Sequence, residues 1–146
     1  MNKEDDFERM VKDLQKKIEY EEETIYSRKV ISEYRNPNNF GAIEDPEATG
    51  KVKGSCGDTM KITLRIEDGI IRGACFWTDG CGATIACGNM LTKMIQGKTP
   101  DEAADVSNEK LIEVLDGLPK EHLHCAKLAV DSLHKAIANY HKNKGI

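Results

Sequence analysis

Three cysteines stand beside polar groups where the chain turns: Cys56 in Gly54-Ser55-Cys56-Gly57-Asp58, Cys81 in Gly80-Cys81-Gly82, and Cys125 in His122-Leu123-His124-Cys125. Glycine next to a thiol lets the backbone bend tightly and approach an ion or cluster without a Cβ clash. A cysteine at a helix start also feels unsatisfied backbone N–H groups and the positive end of the helix dipole, which favour thiolate over thiol. Thiolate is the form that binds metal and attacks sulfur. Three thiolates brought together repel unless a cation or an iron-sulfur core neutralises them, so a fold that gathers these cysteines predicts a metal, with neighbouring Asp58 and His124 as candidate fourth ligands. Stable ferredoxin clusters usually take four cysteines; a histidine or carboxylate in the set changes the potential and loosens the hold, which suits a site that gives its cluster away. The same donors suit tetrahedral Zn²⁺. None of the spacings is a tight CxxC pair, so spacing alone leaves a metal site and scattered structural thiols both open.

The totals narrow the setting. A chain of 146 residues is most simply one domain, large enough for a modest core without disulfides, so size does not explain five cysteines. An odd cysteine count fits a disulfide framework poorly. The charge balance is slightly acidic and has no basic stripe, so neither a nucleic-acid footprint nor a polybasic membrane patch is expected. No apolar run reaches the ~20 residues of a membrane span, and the acidic N-terminus MNKEDDFERMVKDLQKK has no apolar region of the kind a signal peptide carries. The expected compartment is the cytoplasm, where thiols stay reduced.

The elements that must position the thiols are legible from periodicity. Phe7, Met10, Val11, Leu14 and Ile18 recur at helical spacing in a charged background, predicting an amphipathic helix over about residues 4–23 with a narrow apolar stripe. Such a stripe packs on the domain or on a twin chain. Residues 1–24 are therefore read as a helical extension and 25–146 as the main domain. A short helix through Tyr26, Val30 and Tyr34 is stopped by Asn36-Pro37-Asn38-Asn39. From Gly50 the period becomes two: Met60, Ile62, Leu64 and Ile66 mark a strand, Glu67-Asp68-Gly69 a turn, and Ile70 to Thr78 the return strand of a hairpin. In the return strand Ala74 and Phe76 are expected on one face and Ile71, Cys75 and Trp77 on the other, with the N-terminal helix as a candidate cover for that second face. Ala83 to Gln96 reads as a helix with Gly97 as its stop, Thr99-Pro100-Asp101-Glu102 as a capped start, and Ser107 to Asp116 as another short helix. The last helix begins near Leu123 and puts Leu128, Ala129, Leu133, Ala136, Ile137 and Tyr140 on one face. Strands first and helices after predict an α+β fold: a small antiparallel sheet of about three strands packed against helices, with an additional N-terminal helix.

Taken in order, Asn36-Pro37-Asn38-Asn39, Cys56-Gly57-Asp58, Gly80-Cys81-Gly82-Ala83-Thr84-Ile85-Ala86, Gly97-Lys98-Thr99 and His124-Cys125-Ala126-Lys127-Leu128-Ala129 resemble the IscU/NifU N-terminal-type iron-sulfur cluster assembly scaffolds, over about Tyr26 to Tyr140. The resemblance implies a small α+β scaffold, not an enzyme, that assembles a [2Fe-2S] cluster from iron and from sulfur delivered by a cysteine desulfurase, then passes it to apo iron-sulfur acceptor proteins. By position it places the three cluster cysteines on Cys56, Cys81 and Cys125, the aspartate on Asp58 and the histidine on His124. It also gives Cys125 the part of sulfur acceptor. Asp58 is then a weak fourth ligand or a gate that speeds release, and His124 a ligand or an orienting neighbour.

The departures from the pattern bear on partners. Where members recognised by a dedicated chaperone carry Leu-Pro-Pro-Val-Lys, this chain has Leu118-Pro119-Lys120-Glu121-His122, which leaves such a chaperone partner undecided and adds a second imidazole near the site. The long insertion of zinc-bearing SufU relatives between the second and third cysteines is absent. Cys75 and Cys87 fall where the pattern does not ask for cysteine and read as core fillers, and His134 and His141 read as solvated surface residues. Beside the scaffold stands a zinc-bound sulfur acceptor working with the same desulfurase through the same residues, Zn²⁺ occupying the site of the apo form. Zinc hydrolysis is a third reading, but needs an open coordination position and a separate general base. A homodimer through the N-terminal helix is a further expectation.

Overall fold

The computed structural model describes residues 3–144; the outermost residues of the two expected regions, 1–2 and 145–146, lie outside the described residues. In order the chain forms helices α1 (Lys3–Ile25) and α2 (Arg28–Arg35), strands β1 (Ala48–Lys53), β2 (Thr59–Glu67) and β3 (Ile70–Thr78), and helices α3 (Gly82–Ile95), α4 (Pro100–Ala104), α5 (Asn108–Val114) and α6 (Leu123–Lys144). A short 3₁₀ turn, Lys120–His122, leads into α6. The three strands make one antiparallel sheet in the order β1-β2-β3. This is the α+β arrangement expected from the pattern of strands followed by helices.

The core lies between the sheet and the layer of α3 and α6. Met60, Ile62, Leu64 and Ile66 of β2 meet Leu91 and Ile95 of α3 and Leu133, Ala136 and Ile137 of α6 in one continuous buried cluster. Two glycines set how closely the layers approach. A Cβ on Gly50 of β1 would fall 2.2 Å from the Ala136 backbone nitrogen, and one on Gly88 of α3 would fall 2.5 Å from the Phe76 ring. Both are far inside contact distance, so backbone takes the place of side chain at the two helix–sheet crossings.

The sheet's other face is covered differently from the expectation. The stretch after α2 runs along the free edge of β3, where the Phe76 amide donates to the Asn39 carbonyl (2.9 Å) and the Gly41 amide to the Phe76 carbonyl (2.7 Å). It then crosses the outer face: the Ile43 amide donates to Thr63 Oγ1, and Arg65 pairs with Glu47 at 2.9 Å. This loop, not α1, is the cover: α1 buries none of its residues, and its ion pair to the body is Glu22 with Arg35 of α2. Ile71 also departs from its expected face. The register slips between Arg65 and Ile66, which pair with Gly73 and Ile71, so Arg72 is an extra residue and Ile71 turns into the core, fully buried.

The Asn36-Pro37-Asn38-Asn39 stop is tied to α3 by a buried polar network. Asn89 Oδ1 accepts from the Asn39 amide, Asn39 Nδ2 donates to Thr92 Oγ1, and Asn89 Nδ2 donates to Glu33, whose other carboxylate oxygen takes Lys93 Nζ at 2.9 Å. Every buried side-chain N or O among the described residues has a partner, as burial of polar groups requires. The Thr99–Glu102 capping box forms as expected, with Pro100 at the first helical position. Tyr26 lies in the turn before the Ser27 N-cap of α2 and not inside a helix, because the Ser27 hydroxyl accepts from the Val30 amide and starts the helix after it.

Candidate functional site

The β1–β2 turn, the corner between β3 and α3, and the start of α6 come together at one end of the sheet. Cys56 is exposed in the β1–β2 turn, which closes on itself through the Gly54 amide to the Asp58 carbonyl at 2.8 Å and needs Gly57 at a φ of +94°. Only glycine holds that backbone without strain. Strand pairing then sets Met60 opposite Thr78, so the chain just before β2 lies beside the chain just after β3. Two bonds lock the corner there: Thr59 donates its amide to Asp79 Oδ1 (2.7 Å), and Thr78 Oγ1 both donates to the Thr59 carbonyl and accepts from the Gly80 amide. A Cβ on Gly80 would stand 2.8 Å from Asp58 Oδ2 and 2.9 Å from Thr84. Gly80 is therefore what lets the Asp58 carboxylate and the Cys81 corner share one space.

Cys81 is exposed and occupies the N-cap position of α3 in an extended conformation, its side chain making no capping bond. Its sulfur is thus left at the helix start, free of the amides it could have capped. Cys125, the third residue of α6, is only 2% exposed. Thr84 Oγ1, one turn into α3, donates to Cys125 Sγ at 3.3 Å, and His124 Nε2 lies 3.7 Å from the same sulfur. Burial pushes the Cys125 thiol up from its ordinary value, and the nearby Cys56, Asp58 and Cys81 push the same way, while the Thr84 hydroxyl opposes them by favouring thiolate. The helix-start argument points the other way; the upward shift is led by desolvation of a sulfur enclosed between α3 and α6. A cation beside Cys125 would favour its thiolate against this desolvation.

The rim carries aromatic and imidazole groups. Tyr26 Oη lies 3.2 Å from His122 Nε2, and 3.7 Å from where a Cβ on Gly82 would stand; the His122 and His124 rings are 6.3 Å apart. Burial, followed by the negative charge of Cys81 and Cys125, pushes the Tyr26 hydroxyl up, so it stays a proton donor. Beside His124, a cleft of about 200 Å³ opens between Val52–Ser55 and Lys127, Leu128 and Asp131 of α6. Lys127 is held there by Asp131 at 2.7 Å.

All five residues singled out from sequence, Cys56, Asp58, Cys81, His124 and Cys125, thus border this end of the sheet, on three separate segments. Among the described residues no three His, Cys, Asp or Glu side chains stand close enough to form a metal-holding group. The two exposed thiols sit on turns, and the third is fixed in the core. Cys75 is half-buried on β3 and Cys87 wholly buried in α3, and burial pushes both thiols up. His134 bonds the Ala104 carbonyl and His141 faces Asp101, both on the surface away from the thiols. Sequence reasoning missed Thr84 and Tyr26. Thr84 could have been found, since it lies three residues after Cys81 and so on the same side of the helix; Tyr26 carried no such signal.

Comparison with known proteins shows the family. Residues 25–145 match the model of the NifU-like N-terminal domain. The chain is 42% identical over 122 residues to an Archaeoglobus fulgidus iron-sulfur cluster assembly scaffold protein IscU, covering 83% of this chain and 80% of the relative. It is 41% identical over 118 residues to the nitrogen fixation protein NifU of Azotobacter chroococcum, covering 79% of this chain but 38% of that longer protein. In three dimensions it resembles a proposed iron-sulfur cluster assembly scaffold of the SUF system from Fervidobacterium islandicum, with a TM-score of 0.64 at 22% identity over 78% of this chain and 97% of the other, a likeness of fold. With the match running through every segment that carries the thiols, the chain belongs to the NifU-like N-terminal domain family.

Proposed function

We propose that this protein is a scaffold on which an iron-sulfur cluster of the [2Fe-2S] form is built from iron and desulfurase-derived sulfur and then handed to apo-proteins. The observation that carries this reading is the convergence of Cys56, Asp58, Cys81, His124 and Cys125 from three segments on one end of the sheet, two thiols exposed and one enclosed. The cluster is cargo, and the asymmetry of its ligands suits cargo. Cys125 supplies a fixed point in the core, while the turns bearing Cys56 and Cys81 move toward it as iron enters and move away as the cluster leaves.

Sulfur enters as a persulfide. The Cys125 thiolate attacks the outer sulfur of the desulfurase persulfide; the new S–S bond forms on Cys125 as the old one breaks, and the desulfurase cysteine leaves as thiolate. In this reading His124 Nε2, 3.7 Å from the sulfur, takes the Cys125 proton, and the Thr84 hydroxyl bonds the sulfur as charge develops. The bound sulfur becomes sulfide only with electrons from an external donor. Iron then neutralises the thiolates of Cys56, Cys81 and Cys125, and Asp58 or His124 completes the set. A carboxylate in that set is the weak link. It lies against Gly80, beside the Cys81 corner.

The test is anaerobic: iron, cysteine and a cysteine desulfurase are supplied, and the loaded protein is presented to an apo-ferredoxin while visible absorption is followed. A chromophore that forms on the chain and reappears on the ferredoxin is expected. Cys125→Ser should abolish loading, and Asp58→Ala should lengthen the lifetime of the cluster, as removal of a gate that speeds release would. A cluster equally labile in Asp58→Ala removes aspartate from the release step. Persulfide on Cys125 with retained Zn²⁺ and no chromophore would overturn the scaffold reading in favour of a zinc-bound sulfur acceptor.

A further inference from the structure

The thiol site leaves α1 unexplained. The helix spans 23 residues, about 34 Å, and none of them is buried. It touches the rest of the chain at its C-terminal end, where Glu22 pairs with Arg35 of α2. Its apolar residues face water: Phe7 is 62% exposed, Leu14 58% and Ile18 48%. Most of a helix's stability in a protein comes from packing of its apolar face, and an exposed apolar stripe of this extent marks an interaction surface.

The stripe has a coiled-coil period. Phe7, Val11, Leu14 and Ile18 are spaced four, three and four residues apart, and Ile25 falls seven beyond Ile18. With Val11, Ile18 and Ile25 at a, Phe7 and Leu14 fall at d. The flanking positions then follow: Lys3, Met10 and Lys17 at g, and Glu8, Gln15 and Glu22 at e. In a parallel pair each g residue faces the e residue five positions later on the other chain, which sets Lys3 against Glu8 and Lys17 near Glu22, whose carboxylate is shared with Arg35 of its own chain. Both charged pairs attract. In an antiparallel pair g faces g and e faces e, so Lys would meet Lys and Glu would meet Glu. The charges choose both the partner and its direction.

We infer that α1 is a parallel coiled-coil zipper joining two copies of this chain through Phe7, Val11, Leu14 and Ile18. The pair is two-fold, each residue meeting its own equivalent. Glu21, at the next d position, ends the apolar seam before the helix reaches its own domain, so the zipper spans the part of α1 that is clear of α2. Because the helices run side by side in one direction, both scaffold domains hang from the same end. Tyr26, next after α1, lies at the rim of the thiol site, so the zipper brings two such sites to one side of the assembly. The inference rests on α1 alone and stands independently of what the thiols carry.

Analytical ultracentrifugation of the full chain across a concentration series tests it. A species of twice 16.3 kDa at tens of micromolar, reduced to the monomer by Leu14→Glu with an unchanged circular dichroism spectrum of the body, is expected. Glu8→Lys separates the directions. In the parallel pair it sets lysine against Lys3 and should weaken the dimer about fivefold, with Lys3→Glu/Glu8→Lys restoring it. In an antiparallel pair the same single change relieves Glu–Glu repulsion and tightens the dimer. Tightening overturns the parallel zipper. A monomer at every concentration up to several hundred micromolar, or a dimer indifferent to Leu14→Glu, overturns the self-association altogether and gives the stripe to another partner or to none.

Discussion

The two longest helices, α1 with 23 residues and α6 with 22, have opposite fates in the same molecule. α6 buries ten residues, from Cys125 to Tyr140, and α1 buries none. Both have a helical apolar period in the sequence. The difference is in the width of the stripe and the size of the residues in it. α6 carries small residues, Ala126, Ala129, Ser132 and Ala136, that let the sheet come close, whereas α1 carries large apolar residues on a narrow line with acids and bases crowding both sides. A narrow line fits another helix; a wide flat face with small residues fits a sheet. The position of Cys125 follows from this, since a thiol at the start of a helix pressed to a sheet is carried into the core.

The comparison breaks most readily at Gly50. Gly50→Ala puts a Cβ 2.2 Å from the Ala136 backbone, and α6 must lift from β1 to admit it. A loss of about 3 kcal/mol in stability is expected, read as a lower urea midpoint, together with exposure of Cys125 to alkylating reagent. If the midpoint barely moves, α6 is not held where its burial says it is.

A smaller effect sharpens what α6 does to its thiol. Burial raises the Cys125 pKa and the Thr84 hydroxyl opposes that rise, so alkylation of Cys125 should still be climbing with pH above the ordinary thiol value of about 8.5. Removing the hydroxyl with Thr84→Val takes away a bond that favours thiolate, and should slow alkylation at neutral pH about threefold. Mass spectrometry of labelled peptides separates Cys125 from the exposed Cys56 and Cys81. A faster reaction would mean that the hydroxyl shields the sulfur more than it ionises it.

These effects explain how much could be read in advance. The α+β order, the β2–β3 hairpin, the capped start of α4 and the buried face of α6 follow from local signals: period, turn residues, a capping box. The five candidate residues were singled out because glycines and polar groups flank the thiols and because the family resemblance falls on them. What escaped depends on contacts between distant segments. No local pattern says that the loop after α2 would cover the outer face of the sheet, that an extra residue at Arg72 would turn Ile71 inward, or that burial would push the Cys125 thiol up. Each is decided by what packs on top. The sequence placed α1 as a helix but not its surroundings, since an amphipathic stripe does not announce which surface it will meet.

On α1 itself the expected effects are smaller still. Glu22 is held low by Tyr34 and by Arg35, which anchor the last turn of α1 to α2. Arg35→Ala should therefore speed amide exchange in residues 19–25 about twofold, leaving exchange in α6 unchanged. The smallest effect belongs to Phe7, at the free end. With 62% of its surface in water, it contributes no core packing to its own chain. Phe7→Ser, measured below the concentration at which chains associate, should alter the unfolding free energy of the body by less than about 0.5 kcal/mol. At high concentration the same substitution should weaken association, since each copy of the residue would meet its twin. Stability lost by the isolated chain would mean that α1 packs on its own domain after all, and the contrast with α6 would shrink to one of degree.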